Sequence, residues 1–212
     1  MEKLALVLRR PADRPAEEFD AAYAASGPID ETRSIHVVRR TTKPAAFDGL
    51  TFLWGDGASL GRALERERGL PAAFDAYRVD EVRHWDRLPP PDDDGWSPGV
   101  KMIVLFRRRA DLCVEDFRER YLEHAPLARE HHPGIARYVQ NFVRAPVDAA
   151  SPPFDALVEI HFATEEDRRE RFYRDAESPA IIDADVARFM DRESSWSVLA
   201  TERCGGHTTS GG

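Results

Sequence analysis

Lysine is the scarcest charged residue here. Only Lys3, Lys43 and Lys101 occur in 212 residues, and all other members of the 30 Lys+Arg are arginines. The net charge is −8, which argues against nucleic acid as a main partner, because phosphate binding needs a basic face. Cysteine is as sparse. Cys113 and Cys204 have no metal-type spacing, and two cysteines do not make a disulfide scaffold. Long apolar runs are missing: the opening MEKLALVLRRPADRP is too short for a signal peptide or a membrane span. No membrane partner and a cytoplasmic location are therefore expected. There is no GxSxG, no GxGxxG, no P-loop and no HExxH, so the common nucleophile, phosphate and zinc signatures are absent. Gly55-x-Gly57 follows an apolar run, but two glycines alone carry no phosphate site.

What is present suffices for a core: 42% of residues are apolar and 32% charged. The arginines sit mostly among acids, as in Glu165 to Arg171, which reads as a solvated face of both signs. The length suits one large domain or two of about 100 residues.

An internal repeat favours two. Lys3–Tyr23 reads KLALVLRRPADRPAEEFDAAY and Lys101–Tyr121 reads KMIVLFRRRADLCVEDFRERY. Lys, the apolar run, Arg-Arg, Ala-Asp, Glu, Phe and Tyr fall in step, and the match runs on to Pro28 against Pro126. It resumes at Phe47-Asp48-Gly49-Leu50 against Phe154-Asp155-Ala156-Leu157, and at Pro71-Ala72 with Asp75 against Pro179-Ala180 with Asp183. LPPPDDDGWSPG (Leu88–Gly99) reads as a linker. The expected organisation is a first unit at 1–87, a linker at 88–99, a second unit at 100–203 and a disordered tail at 204–212.

Each half shows the same order. Leu4–Leu8 and Met102–Phe106 have strand character; Ala16–Ala25 and Val114–Arg129 are helical. In the latter, Val114, Phe117, Tyr121, His124 and Ala128 recur at three- and four-residue spacing and share a face. Ile35–Arg40 and Ile135–Val143 read as second strands, Leu50–Trp54 and Leu157–Phe162 as third strands. Ala58–Phe74 and Glu165–Phe189 hold the second helical regions, and Tyr77–Trp85 and Ser194–Thr201 close the halves as strands. This predicts an α+β fold of two ferredoxin-like βαββαβ units fused in one chain. Both helices of such a unit cover one sheet face and leave the other bare, so the two sheets are expected to pack face to face as an intramolecular α+β barrel.

The second half resembles the EthD-like family of the dimeric α+β-barrel superfamily. The resemblance rests on KMIVLFRRR, FRERYLEHAPLA, PGIARYVQN, FDALVEIHF, SPA, Asp183, Phe189-Met190-Asp191 and Glu202, spanning residues 100 to 202. It is also similar to muconolactone methylisomerases, which place a His after a comparable first helix. The first half departs from the pattern: Ser26 stands where His124 stands, and Phe52 where Glu159 stands. There the resemblance covers the fold only, and the first unit reads as degenerate.

His124 is the central candidate for chemistry, because a His on a partly apolar face suits general acid or base work. Pro126, which has no N–H, should disturb the helix beside it. Asp155, Glu159 and His161 alternate onto one face of the third strand, with Leu157 between the acids, which suits a cleft giving a His its charge partner. Tyr121, Tyr138 and Asn141 could offer phenol and amide hydrogen bonds; the plainer reading of such tyrosines is core packing with a bonded tip. Glu130-His131-His132 before Pro133-Gly134 reads as a helix end with cationic imidazoles near the dipole. No metal or other cofactor is expected.

The resemblance implies aromatic polyketide-like or lactone-like substrates. With it, the residues predict a cofactor-independent enzyme of isomerase, cyclase or dehydratase type. His124, Asp155 and Glu159 are its catalytic candidates; Tyr121, Tyr138, Asn141 and His161 are its binding candidates. The alternatives are a non-catalytic binding or accessory protein of an oxidative pathway, and a cofactor-free oxygenase. Partners would be a small-molecule substrate and the chain's own other half, an intramolecular pseudo-dimer, with a homodimer open.

Overall fold

The structure is a computed structural model that describes residues 1–26, 32–39, 45–70 and 72–204. The elements are β1 (Glu2–Arg9), α1 (Ala16–Ala24), β2 (Arg33–Val38), β3 (Gly49–Gly55), α2 (Gly57–Arg68) and β4 (Ala73–Asp86). They continue with β5 (Val100–Arg108), α3 (Val114–His131), β6 (Ile135–Pro146), β7 (Ala156–Phe162), α4 (Glu165–Glu170), α5 (Ser178–Val186) and β8 (Met190–Cys204).

All eight strands form one closed antiparallel barrel in the order β1-β3-β2-β8-β5-β7-β6-β4, with β4 returning to β1. A barrel made of two sheets packed face to face was expected; a barrel is observed, its eight strands joined edge to edge in one ring. β2 pairs with β8 from Ser34↔Cys204 to Val38↔Ala200, and β4 pairs with β6 from Tyr77↔Pro146 to Asp86↔Arg137. Closure leaves no unpaired edge to template aggregation. The apolar residues divide accordingly. Val7, Phe52, Ile103, Leu105, Leu157 and Val198 belong to the barrel interior. Phe117, Tyr121, Tyr138, Phe142 and Phe189 pack outside it beneath the later helices, and Leu6, Phe19, Tyr23, Ile35 and Leu60 beneath the earlier ones.

Several sequence expectations needed adjustment. Phe74 lies on β4, not on the preceding helix, and the region Glu165–Phe189 holds two separate helices. Val114 is 56% exposed and leaves the buried face to Phe117, Tyr121, His124 and Ala128. α3 runs through Pro126 without a break. The third repeat anchor falls apart, since Asp75 is on strand β4 and Asp183 on helix α5; Pro71, like Pro28, Arg40 and Lys43, lies outside the described residues. Of the expected tail, Cys204 ends β8 and 205–212 lie outside the described residues. His131 and His132 are buried: His131 Nδ1 bonds Ser178 Oγ at 2.9 Å, and burial lowers the His132 pKa, so His132 is no cationic helix end. The linker also does structural work. Trp96 bridges Arg203, Ser97 Oγ donates to Glu202 at 2.8 Å, and Pro98 O meets His161 Nε2 at 2.9 Å, so it caps one end of the barrel. No helix of the described residues is long and apolar enough to cross a membrane.

The other repeat anchors have a physical basis. The Phe–Tyr pair four apart stacks on each first helix: Phe19–Tyr23 at 5.8 Å and Phe117–Tyr121 at 5.7 Å between centroids. The Arg and the Phe-Asp motif form a matching clasp in each half. Arg10 N donates to Asp48 at 3.0 Å and Arg108 N to Asp155 at 2.9 Å, each with a guanidinium ion pair to the same carboxylate.

Candidate functional site

His124 sits on the buried face of α3, outside the barrel, near the rings of Phe189 and Tyr138 at 5.4 and 6.5 Å. Its Nδ1 lies 2.8 Å from Asp185 Oδ2 on α5. A carboxylate only accepts, so Nδ1 carries the proton and Nε2 keeps its lone pair. Burial lowers the His124 pKa, against the opposing pull of Asp185, which leaves a neutral base at pH 7. Asp185 is in turn held by Arg188 at 2.8 Å.

The carboxylate behind His124 is therefore neither Asp155 nor Glu159, and the sequence expectation is corrected here. Asp155 precedes β7 at the barrel rim and is spent on the Arg108 clasp. Glu159 belongs to the opposite sheet face: it pairs with Val139 across β6 and β7, while the neighbouring pair Tyr138↔Ile160 faces the helices. Alternation along β6 likewise separates Tyr138 from Asn141. Tyr121 and Tyr138 thus join His124, whereas Asn141, Glu159 and His161 go inside the barrel. Asp185 had one weak signal in the sequence: it lies two residues past the Asp183 already singled out.

Both tyrosines have raised phenol pKa values, chiefly through burial. The hydroxyl of Tyr121 is buried and has the Tyr138 phenol as its hydrogen-bonding neighbour. The first half shows why. There Tyr23 bonds Thr51 Oγ at 2.8 Å; Thr51 pairs with Leu6 on β1, and its counterpart Val158 pairs with Val104 on β5. Valine offers no hydroxyl, so Tyr121 turns to the Tyr138 phenol instead. The N-terminal half has a different arrangement at the corresponding position. Arg33, the counterpart of Tyr138, inserts its guanidinium between Ser26 and Glu67, with bonds of 3.0 Å to Ser26 Oγ and 2.7 Å to Glu67 Oε1.

Inside the barrel a second polar cluster is fully built. Lys3 Nζ donates to Glu81 (2.6 Å), Asn141 (2.7 Å) and Glu159 (3.0 Å). Lys101 Nζ donates to Glu159 (2.7 Å), His36 Nε2 (2.9 Å) and Glu202. Burial pushes the Glu159 and Glu202 carboxyls up, but the ammonium groups outweigh it and hold both well below the usual carboxylate range. Burial and Lys101 lower the His36 pKa, and burial lowers that of His161. Ligand atoms of His36, Glu159 and Glu202 lie within 4.8 Å of one another, a spacing that could hold a metal ion. The Lys101 ammonium bonds all three, so an ion there has to displace it. A polar cleft of about 350 Å³, lined by Lys3, Trp54, Glu81, Arg78 and Arg144 among others, opens beside this cluster.

Comparison with known proteins agrees with this architecture. The EthD domain matches residues 109–193, the stretch that carries His124, Tyr121, Tyr138 and Asp185. No curated protein matches in sequence. Among solved structures, an anthrone oxidase-like protein is similar over 100% of this chain and 95% of its own, at TM-score 0.59 and 12% identity. A candidate monooxygenase from Fusobacterium nucleatum subsp. nucleatum ATCC 25586 covers 97% and 95% at TM-score 0.58 and 8% identity. Another from Lactobacillus acidophilus NCFM covers 97% of each chain at TM-score 0.54 and 10% identity. At such identities the likeness is one of fold.

Proposed function

We propose that this chain is a cofactor-independent enzyme that takes a proton from a carbon acid, such as an aromatic polyketide-like ketone or a lactone. His124 Nε2 is the base. The observation that carries the proposal is the His124–Asp185 pair beside the buried phenols of Tyr121 and Tyr138. Asp185 holds the ring and stabilises the imidazolium that forms; Tyr121 and Tyr138 hold the substrate oxygen on which charge develops. The fold is read as two fused βαββαβ units, residues 1–87 and 100–203 joined by 88–99, an intramolecular pseudo-dimer whose first site is filled by Arg33 and Glu67. The strand orders β4-β1-β3-β2 and β8-β5-β7-β6 within the ring support this. The Lys101 ammonium already neutralises the one His–Glu–Glu cluster among the described residues, and the mechanism routes nothing through it.

The enolate can be reprotonated, can lose a leaving group, or can react with oxygen. The names of the structural neighbours favour a second reading, cofactor-free oxygenation, which shares the first step.

The test is hydrogen–deuterium exchange at C2 of 3-hydroxy-1-tetralone, followed by NMR in D2O, with oxygen uptake on anthrone run in parallel. The protein should accelerate exchange, and His124→Ala should reduce the acceleration about 10²–10⁴-fold with an unchanged melting temperature. Exchange that is not accelerated, or that survives in His124→Ala, overturns the reading and leaves a binding protein. Oxygen uptake dependent on His124 selects the oxygenase.

A further inference from the structure

The N-terminal half supplies one side chain to the His124 site. β4 leaves β1 and continues along β6, where its register slips between Arg83 and Trp85. His84 is the extra residue of that bulge. The slip breaks the alternation, so that His84 and Trp85 both turn to the face of α3: Trp85 stacks on Tyr138 at 5.0 Å, and the His84 ring lies 5.6 Å from the same tyrosine. A bulge is a recurrent device for re-aiming a side chain beside a working site.

The hydrogen bonds around His84 fix its tautomer. Gln140 Nε2 donates to the Tyr121 carbonyl at 2.6 Å, which leaves Gln140 Oε1 facing His84 Nε2 at 3.0 Å. An amide oxygen only accepts, so His84 Nε2 carries a proton and Nδ1 is the free position. His84 is half-buried and so more open to solvent than the buried His124. Two imidazoles thus flank Tyr138, one shielded and backed by Asp185, the other more open.

We propose that His84 is the second proton-transfer residue of this site and that the reaction is elimination of water from a β-hydroxy ketone. The proposal rests on the reading of His124 as the base. His124 Nε2 takes the proton beside the carbonyl. The electron pair of the enolate forms the new C=C bond as the C–O bond at the β-carbon breaks. Protonated His84 delivers its Nδ1 proton to the departing hydroxyl, and water leaves. His124 then returns its proton to solvent and His84 reloads from it. Oxidant and reductant are not needed.

The two steps can be read separately with 3-hydroxy-1-tetralone, which becomes 1-naphthol on losing water. Exchange at C2 reports the first step and 1-naphthol fluorescence the whole. His84→Ala should lower 1-naphthol formation about 10²-fold while exchange stays within about threefold of wild type, with recovery on adding imidazole. Unchanged naphthol formation overturns the proposal, as does a parallel loss of exchange, which would make His84 a prop for His124. His124→Ala, by contrast, should abolish both; if it does not, the failure lies with the base.

A substrate-free measurement keeps the two failures apart. The groups facing His124 are Asp185 on α5, with Arg188 behind it, Tyr138 on β6, His132 at the end of α3, and His84. In nitrogen-15 NMR of the intact chain, neutral His84 should show the Nε2–H tautomer, and His84→Ala should raise the His124 titration midpoint by removing a like charge. The opposite tautomer, or an unmoved midpoint, overturns the shared site even if the ketone proves inert.

Discussion

Lys101 commits all three ammonium protons inside the barrel, to Glu159, Glu202 and His36, and its side chain is fully buried. Lys101→Met would leave Glu159 to Lys3 and Glu202 to Arg137, removing one cation from each, and should cost up to about 3–5 kcal/mol in thermal or denaturant unfolding, because breaking a buried pair leaves charge under-compensated. An unchanged melting temperature would show that the remaining partners suffice. At this scale the sequence was partly legible. Helical spacing correctly put Phe117, Tyr121 and His124 together, since all three lie on one helix. Alternation correctly put Glu159 and His161 on one face, but it cannot say whether that face meets a helix or the barrel interior. Asp185 was out of reach: it lies 61 residues from His124, and their contact depends on how α5 packs against α3.

Among the elements, the cap over the barrel end depends on a turn that only glycine serves. Gly99 has φ +78°, and a Cβ there would collide with the Phe162 carbonyl. Gly99→Ala should therefore destabilise the protein by at least about 1–2 kcal/mol, the cost of left-handed backbone for an L-residue, with the clash added. A melting curve that does not shift would mean the cap is detached from barrel stability. Most elements were readable because strand and helix periods are plain in both halves of the sequence. Residues 165–189 resisted for a local reason. Thr164 caps α4, bonding Asp167 N at 2.9 Å, and Asp175 accepts from Ser178 N at 2.9 Å in the turn ahead of α5, so two short helices interrupt what composition presents as one. The linker's Pro and Asp content disguised the contacts of Trp96, Ser97 and Pro98 for a similar reason: turn-forming residues say nothing about what a turn rests on.

For the whole molecule, four buried imidazoles set the response to pH. His36, His124, His132 and His161 all have pKa values lowered mainly by burial. The unfolded chain then binds protons first, from about pH 6.5 downward, so stability rises with pH through this window and is lost as pH falls. The melting temperature should drop between about pH 6.5 and 5, before the depressed carboxyls Glu159 and Glu202 can protonate. A flat profile across that range would contradict the burial of these rings. The closed ring itself was only half visible in the sequence, because nothing in a single strand announces which foreign edge it will meet. That closure also has a bearing on the order of events during synthesis. β2 is finished at Val38, yet one of its two neighbours is β8, the last of the described strands, with Ser34 paired to Cys204. A nascent chain must therefore carry an open strand edge until β8 has been made. A barrel without a free edge thus passes through a stage that has one, and folding is bound to the slow, long-range contacts that remove it.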